Sequence, residues 1–411
     1  MIGIFFRNLF RDLIRQPLRT ALTLSGVVWG TFSVVLLLAF GDSLSKAQIK
    51  RFHGMGQGIV LVFPSRTTLP WQGLLKGKAV RVTPEMAEEI PEKVPGIELL
   101  SPEFVGSRVI RYGRNEFRDT VRGVNPQFEL MRNTIAEKGR FLDPEDMAAR
   151  KRVCFIGDVL ATDLFGTEEP VGKSVFIDSV PFTVVGVMRT KLQNSNYNGQ
   201  RDERCAFMPW TTYASLYGAK YVSNIIFRPR DLGRSKAVME GVKVHLSKVI
   251  GFSPADPDAL GVWDTLEFEK QFTTFFLAFT VFLGVIGSFT LLVGGVGVAS
   301  IMRVVVDERT REIGVKLAVG ARRRTILWQF FSESFVIMLL GGMIGFGFSA
   351  AVLQATKAFP KGGFTDFIGL PVLNPLVVVS TMLILLAIGV VAGMIPARTA
   401  ASTDPIEALR K

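Results

Sequence analysis

The sequence predicts an α-helical membrane protein with four transmembrane helices and a large extracytoplasmic α+β domain inserted between the first and second helices. Four apolar runs are each long enough to cross a hydrocarbon core of about 30 Å. Residues 43–270 hold no such run, only short alternating or apolar stretches bounded by Gly, Pro and Asp. Basic residues supply the orientation: segments 1–19, 303–324 and 397–411 carry 14 Lys/Arg, against two in the loop 357–374. The positive-inside rule therefore puts the first three in the cytoplasm and residues 43–270 outside.

Composition agrees. With 48% hydrophobic residues and 33 Phe the chain is too apolar for an ordinary soluble protein, yet it carries 48 Lys/Arg and 36 Asp/Glu. Spans plus a polar domain satisfy both facts. The net charge of +12 includes only about +5 from residues 43–270, with 32 basic against 27 acidic, so no nucleic-acid footprint stands out. Two cysteines and two histidines are too few for a disulfide scaffold or a zinc site.

In chain order, residues 1–19 set Ile2, Phe5, Phe6, Leu9 and Leu13 on one side and Arg7, Arg11 and Arg15 on another, an interfacial elbow helix on an anionic leaflet. Pro17 breaks it. The first span, 20–42, opens with 21 uncharged residues, longer than the apolar core of a cleaved signal peptide, and Ala39-Phe40-Gly41 makes a poor cleavage site. In the outer domain the spacing predicts strands over 58–63, 97–104, 107–112, 117–123, 152–157, 174–178, 182–188, 205–208 and 221–228. It predicts helices over 84–93, capped by Thr83, and over 158–165 and 232–249. Residues 43–104 and 221–270 read as one subdomain, with 105–220 as a β-rich insertion. GTEEPVGKS at 166–174 imitates a phosphate-binding loop, but five residues separate its glycines where four are needed and the segment lies outside, so no ATP binding is expected there. No nucleophile motif or paired histidine marks an enzyme. The carboxylate pairs Glu88/Glu89 and Asp202/Glu203 read as solvated surface. Cys154 and Cys205 read as buried free thiols in apolar strands, with a disulfide as the alternative.

The second span, 271–302, includes 31 uncharged residues from Phe272, about 46 Å as a helix, so its excess would project outward as a stalk. Gly284/Ser288 and Gly295/Ala299 are pairs of small residues suited to close helix contact. The third span, 325–356, carries Gly341 and Gly345 at GxxxG spacing and one carboxylate, Glu333, read as partner to a base at the cytoplasmic face. After the outer loop 357–374, the fourth span, 375–396, repeats the glycine spacing at Gly389 and Gly393, and the tail 397–411 returns inside.

The loop 303–324 holds the most charge of any short connection. Within DERTREIGVKLAVGARRR, Ile313, Leu317 and Gly320 recur at i, i+4, i+7 while Glu308, Arg311 and Glu312 take another side, the pattern of a short amphipathic helix with Gly320 as its left-handed stop. Spacing alone leaves two readings: a solvated turn whose arginines fix topology, or a docking helix for a cytoplasmic partner. The wording of the loop closely resembles the connection between the second and third spans of MacB-type (FtsX-like) ABC transporter permeases, roughly E-R-x-x-E-I-G-x-x-x-A-x-G-A. The tail P-A-R-x-A-x-x-x-D-P-I-E-A-L-R and the runs 139–158 and 164–187 resemble the same family, so the likeness covers essentially the whole chain.

The resemblance implies that 303–324 is a coupling helix seated in an ATPase subunit through Glu308, Arg309, Arg311, Glu312, Ile313, Gly314, Lys316 and Gly320. Leu317 departs from the pattern where the family often has a second base, which would remove one ion pair to the ATPase. The resemblance also implies a non-catalytic, stand-alone permease subunit of an ABC exporter that transmits force to the outer domain. Its partners would be a separate ABC ATPase that binds the ATP and Mg, a second permease copy, homo- or heterodimeric, membrane lipids, and a periplasmic membrane-fusion adaptor. No cofactor, metal or nucleic acid is expected on this chain. An FtsX-like signal transmitter that activates a cell-wall hydrolase, and a lipoprotein-releasing permease, share every motif. On this reading Ile313→Asp or Gly314→Trp uncouples the ATPase and leaves membrane insertion intact.

Overall fold

The computed structural model describes residues 17–193, 196–198, 200–358, 369–404 and 408. Most of the expected elbow helix and outer loop, and part of the tail, therefore lie outside the described residues. Two compact units divide the chain, one up to Ala47 and from Thr273 on, the other Gln48–Phe272.

The first helix, α1 (Pro17–His53), leads to β1 (Val60–Pro64). Then come α2 (Pro84–Glu88), α3 (Ile90–Lys93), β2 (Ile97–Tyr112), β3 (Asn115–Val124), α4 (Phe128–Arg132), β4 (Ala136–Gly139), α5 (Pro144–Ala148) and β5 (Val153–Ile156). They are followed by α6 (Asp158–Phe165), β6 (Ser174–Ile177), β7 (Val180–Met188), β8 (Cys205–Pro209), α7 (Trp210–Tyr217), β9 (Asn224–Pro229), α8 (Ser235–Ile250) and β10 (Leu260–Asp264). The remaining helices are α9 (Thr265–Glu308), α10 (Thr310–Ala318), α11 (Arg323–Ala355) and α12 (Pro375–Ala401).

In the second unit the strands join in the order β10-β1-β9-β2-β3-β8-β5-β7-β4, with β6 paired to β2 and β7. Two strands expected at 97–104 and 107–112 are one. The N-terminal half of β2 pairs with β9 and the C-terminal half with β3, so both halves stay extended. Gly106, between the two expected strands, is a close approach: a Cβ there would lie 2.5 Å from the Tyr213 hydroxyl. The helix expected over 84–93 is two, because Pro91 cannot donate the hydrogen bond that would carry the turn on. Thr83 caps the first of them as expected. Helix α7, rich in aromatic and β-branched residues, was not legible as a helix; its buried Trp210, Thr212 and Tyr213 pack it onto the sheet instead.

One face of the sheet buries Val121, Cys154, Ile156, Ala206 and Met208 under α6, α7 and α8; the other buries Phe128, Phe155, Cys205 and Phe207. Alternation along the strands thus puts Cys154 and Cys205 on opposite faces, where no disulfide can form, and burial pushes the two thiols up to about 12 and about 11. Gly172 occupies a turn at φ +84° and Lys173 pairs with Glu168, so the imitation phosphate loop is closed on itself.

The carboxylate pair Asp202/Glu203 is not solvated as expected. Asp202 is fully buried and takes two hydrogen bonds from Arg132, at 2.9 and 2.8 Å, and one from Lys191 at 2.7 Å. On the other side of Tyr197, Arg122, also fully buried, donates to Glu103 at 2.6 Å, and Glu103 accepts from Asn224. Tyr197 sits between the two guanidinium groups, 5.0 and 4.7 Å from their carbons. These contacts pin the segment between β7 and β8 to the apolar face. A second anchor is Asp256, which accepts from the Thr68 and Leu69 amides at 2.7 and 2.9 Å and from the Thr68 hydroxyl at 2.7 Å. Burial alone would raise its pKa, but the hydrogen bonds outweigh it and hold the group at about 2. Its contribution to stability is therefore present above the unfolded value of about 4 and is lost as pH falls toward 2. Thermal unfolding of the full chain between pH 5 and 2 should lose that step in Asp256→Asn; an unchanged profile would remove Asp256 from the account.

In the first unit, four helices among the described residues are long and apolar enough to cross a membrane. Residues 26, 30 and 34 of α1 meet 294, 291 and 287 of α9, so these two run antiparallel. A Cβ on Gly294 would lie 2.5 Å from the Gly26 carbonyl, and one on Gly30 2.7 Å from the Leu291 backbone. Of the two pairs of small residues expected in this span, Gly284 faces the Leu38 side chain of α1 and Gly295 meets Ile388 of α12, 3.3 and 2.7 Å from the added carbon. Gly341 and Gly345 let α11 approach α1, with Val27 and the Val28 carbonyl 2.9 and 2.6 Å from the added carbon. Gly393 is tight against Ser334 of α11 at 3.2 Å, while Gly389 makes an ordinary 3.7 Å contact and does not need to be glycine.

Candidate coupling site

The charged loop folds as a helix, α10, between the ends of α9 and α11. Its termination follows the left-handed glycine stop in full. Gly320, at φ +95°, donates to the Leu317 carbonyl at 3.0 Å, and Ala321 donates to the Lys316 carbonyl at 2.9 Å. Within the helix Lys316 and Glu312 pair at 2.7 Å across one turn.

Packing decides which side faces where. Ile313 is only 2% exposed and belongs to the apolar cluster formed by Met302 and Val306 of α9, Ile326 and Phe330 of α11, and Ala397 and Ala400 of α12. Gly314 is buried beside it. Leu317, where the resemblance would have had a base, is half-buried against the same cluster. The apolar stripe therefore seats α10 on its own bundle. Ala397 and Ala400 are small enough to let α12 end against this seat.

Arg309 also turns inward, its guanidinium 3.7 Å from the Glu333 carboxylate of α11. Glu333 thus has a partner at this end of the bundle, and Arg309 ties the α9–α10 corner down. What remains outward is Glu308, Arg311, Glu312, Val315, Ala318, Val319 and Gly320. Val315 is two residues, about 200°, round the helix from Ile313 and is 47% exposed; Val319 is 84% exposed. Sequence reasoning passed over both valines, although their i, i+4 spacing with Arg311 marks a second, narrower apolar stripe. Arg322, Arg323 and Arg324 follow it, all exposed. The arrangement is a short rod, fixed along one side and at its corners, with a mixed valine and charge face uncovered.

A family model described as MacB-like periplasmic core domain matches residues 20–244, and one described as FtsX-like permease C-terminal matches residues 284–405. Among curated proteins the chain is 32% identical over 406 residues to a macrolide export ATP-binding/permease protein MacB of Rhodospirillum rubrum, and 32% identical over 402 residues to that of Wolinella succinogenes. Each match covers 97% of this chain and 59% of the relative, so the chain spans rather more than half the length of these curated relatives. The periplasmic region of MacB from Actinobacillus actinomycetemcomitans aligns with a TM-score of 0.44 at 16% identity, covering 55% of this chain and 97% of that one. A MacB-like core matched over more than half of the chain, followed by an FtsX-like region that contains α10 and its seat, makes this protein a member of the MacB/FtsX-like family of ABC transporter permeases.

Proposed function

We propose that this chain is the permease subunit of an ABC exporter, with α10 and the segments 1–19 and 397–411 in the cytoplasm, driven by a separate ATPase that seats on the Arg311–Val315–Val319 face. The observation that carries the reading is the division of α10 into two sides: Ile313 and Leu317 lock it to three membrane helices while Val315, Ala318 and Val319 stay uncovered. A helix held in this way moves with the bundle when its outer face is displaced. The four spans and the basic residues of the loop support the orientation. ATP and Mg would be bound by the ATPase, a second permease copy would complete the transporter, and a periplasmic adaptor would meet the outer domain. Export, the activity in the relatives' names, is the direction proposed.

The double variant Val315→Glu/Val319→Glu tests the docking face. ATPase co-purification and permease-dependent ATPase stimulation should each fall at least tenfold, with membrane insertion and thermal midpoint unchanged. Full stimulation by the variant would overturn the assignment.

A further inference from the structure

The second unit contains a cavity of about 590 Å³ whose wall carries Lys50, His53, Arg189, Lys191 and Arg228 and no Asp or Glu. Its frame is rigid where the chain passes itself. A Cβ on Gly54 would lie 1.8 Å from the Leu192 carbonyl oxygen and one on Gly56 2.1 Å from that of Met131, so backbone touches backbone on both sides. The cations reach this wall from the end of α1, from the segment after β7 and from β9, and their partners are fewer than they are. Arg228 donates to Glu98 at 3.0 and 3.2 Å, and His53 contacts Glu269 at 2.9 Å. Lys191 shares Asp202 with Arg132. The Thr190 hydroxyl, also in the wall, is taken up by Asp158 at 2.7 Å. Neither Lys50 nor Arg189 has a carboxylate partner among the described residues.

Lys191 is the most telling member. Its side chain is 6% exposed, and its ammonium, with three donors, gives two to the Arg132 carbonyl and Asp202, both at 2.7 Å. The ammonium is thus spent on this buried pair, which anchors the cavity wall from behind. Burial pulls this ammonium down to about 8 against the pull of Asp202.

We propose that this cavity is a binding site for a phosphate-bearing ligand, with Lys50 and Arg189 as its unpaired cations on a wall that Lys191 anchors from behind. Guanidinium and ammonium groups converging from separate elements suit a compact, multiply charged anion with several acceptor oxygens. The volume leaves room for an organic remainder beyond the phosphate. The proposal does not depend on α10 or on an ATPase, so its failure and the failure of the coupling assignment are separate results.

The test is calorimetric titration of the full chain in a neutral maltoside detergent with inorganic phosphate, glucose 6-phosphate and dihexanoyl phosphatidic acid, against chloride at matched ionic strength. Saturable binding of at least one phosphate probe is expected, weakened at least tenfold in Lys50→Ala/Arg189→Ala and unchanged in Arg114→Ala, whose side chain is exposed and outside the cavity. Binding of the soluble probes identifies a soluble phosphate ester as the source; binding of phosphatidic acid alone identifies a lipid headgroup. Arg189→Gln, a single change at an exposed position, serves if the double variant does not fold and should weaken binding severalfold. Heats no larger than those of chloride for all three probes, or equal affinity in the variants, would overturn the site.

Discussion

Ile313→Asp is expected to lower the stability of the bundle by at least about 3 kcal/mol, because it removes a fully packed side chain and sets a carboxylate among apolar groups with no partner. On sequence alone this variant should uncouple an ATPase and leave membrane insertion intact. The seat of α10 changes that expectation: the helix should come loose, and the thermal midpoint of the detergent-solubilised chain should fall together with any coupling. Ile313→Val, which keeps most of the contact, should cost only about 1 kcal/mol. The Val315 and Val319 changes should show the converse, lost coupling at an unchanged midpoint. A wild-type midpoint for Ile313→Asp would mean that α10 does not rest on the bundle through this residue.

Asp202→Ala is the other large effect. It strands Arg132 and Lys191, both buried, without their shared carboxylate, and breaking such a cluster from one side costs about 3 to 5 kcal/mol. Tryptophan fluorescence during urea unfolding of the full chain should report it as an earlier transition of the outer domain. Adding Lys191→Met to Asp202→Ala should recover part of the loss, since one of the stranded charges is then gone, and the difference gives the coupling between the two residues. If Asp202→Ala unfolds within about 1 kcal/mol of the parent, the network is solvated in solution and does not hold the 189–204 segment.

Several features could be read directly. The strands 58–63, 117–123, 174–178 and 205–208 lie within a few residues of their observed bounds, and helix 158–165 coincides with α6, because alternation, turn glycines and an apolar stripe are local signals. Thr83 and Gly320 could be assigned because a cap needs only a side-chain oxygen or a positive φ at one position. The misses share a different cause. Helices α4 and α5 are five residues each and are held by their surroundings, the second by the Asp143/Asp146 capping box. Strand β4 sits at the sheet edge against β7 alone, and β10 is defined by its register with β1.

At the coupling site the sequence showed the helix, its charge and its stop, and it named Glu333 as needing a base. It could not choose Arg309, because a contact between α9's corner and the middle of α11 depends on how the two helices lie together.

The sequence by itself determined that the chain has four spans, a polar domain after the first, and a basic loop with one short amphipathic helix. Each of these follows from hydropathy, charge or backbone preference along a short stretch. Only the tertiary structure decided that the Ile313 stripe is spent on the chain's own bundle, leaving Val315 and Val319 outward, and that Asp202 is a buried hub and not a surface acid. An apolar or charged residue states that it must find a suitable neighbour, but which neighbour it finds depends on the packing of segments far apart in the chain.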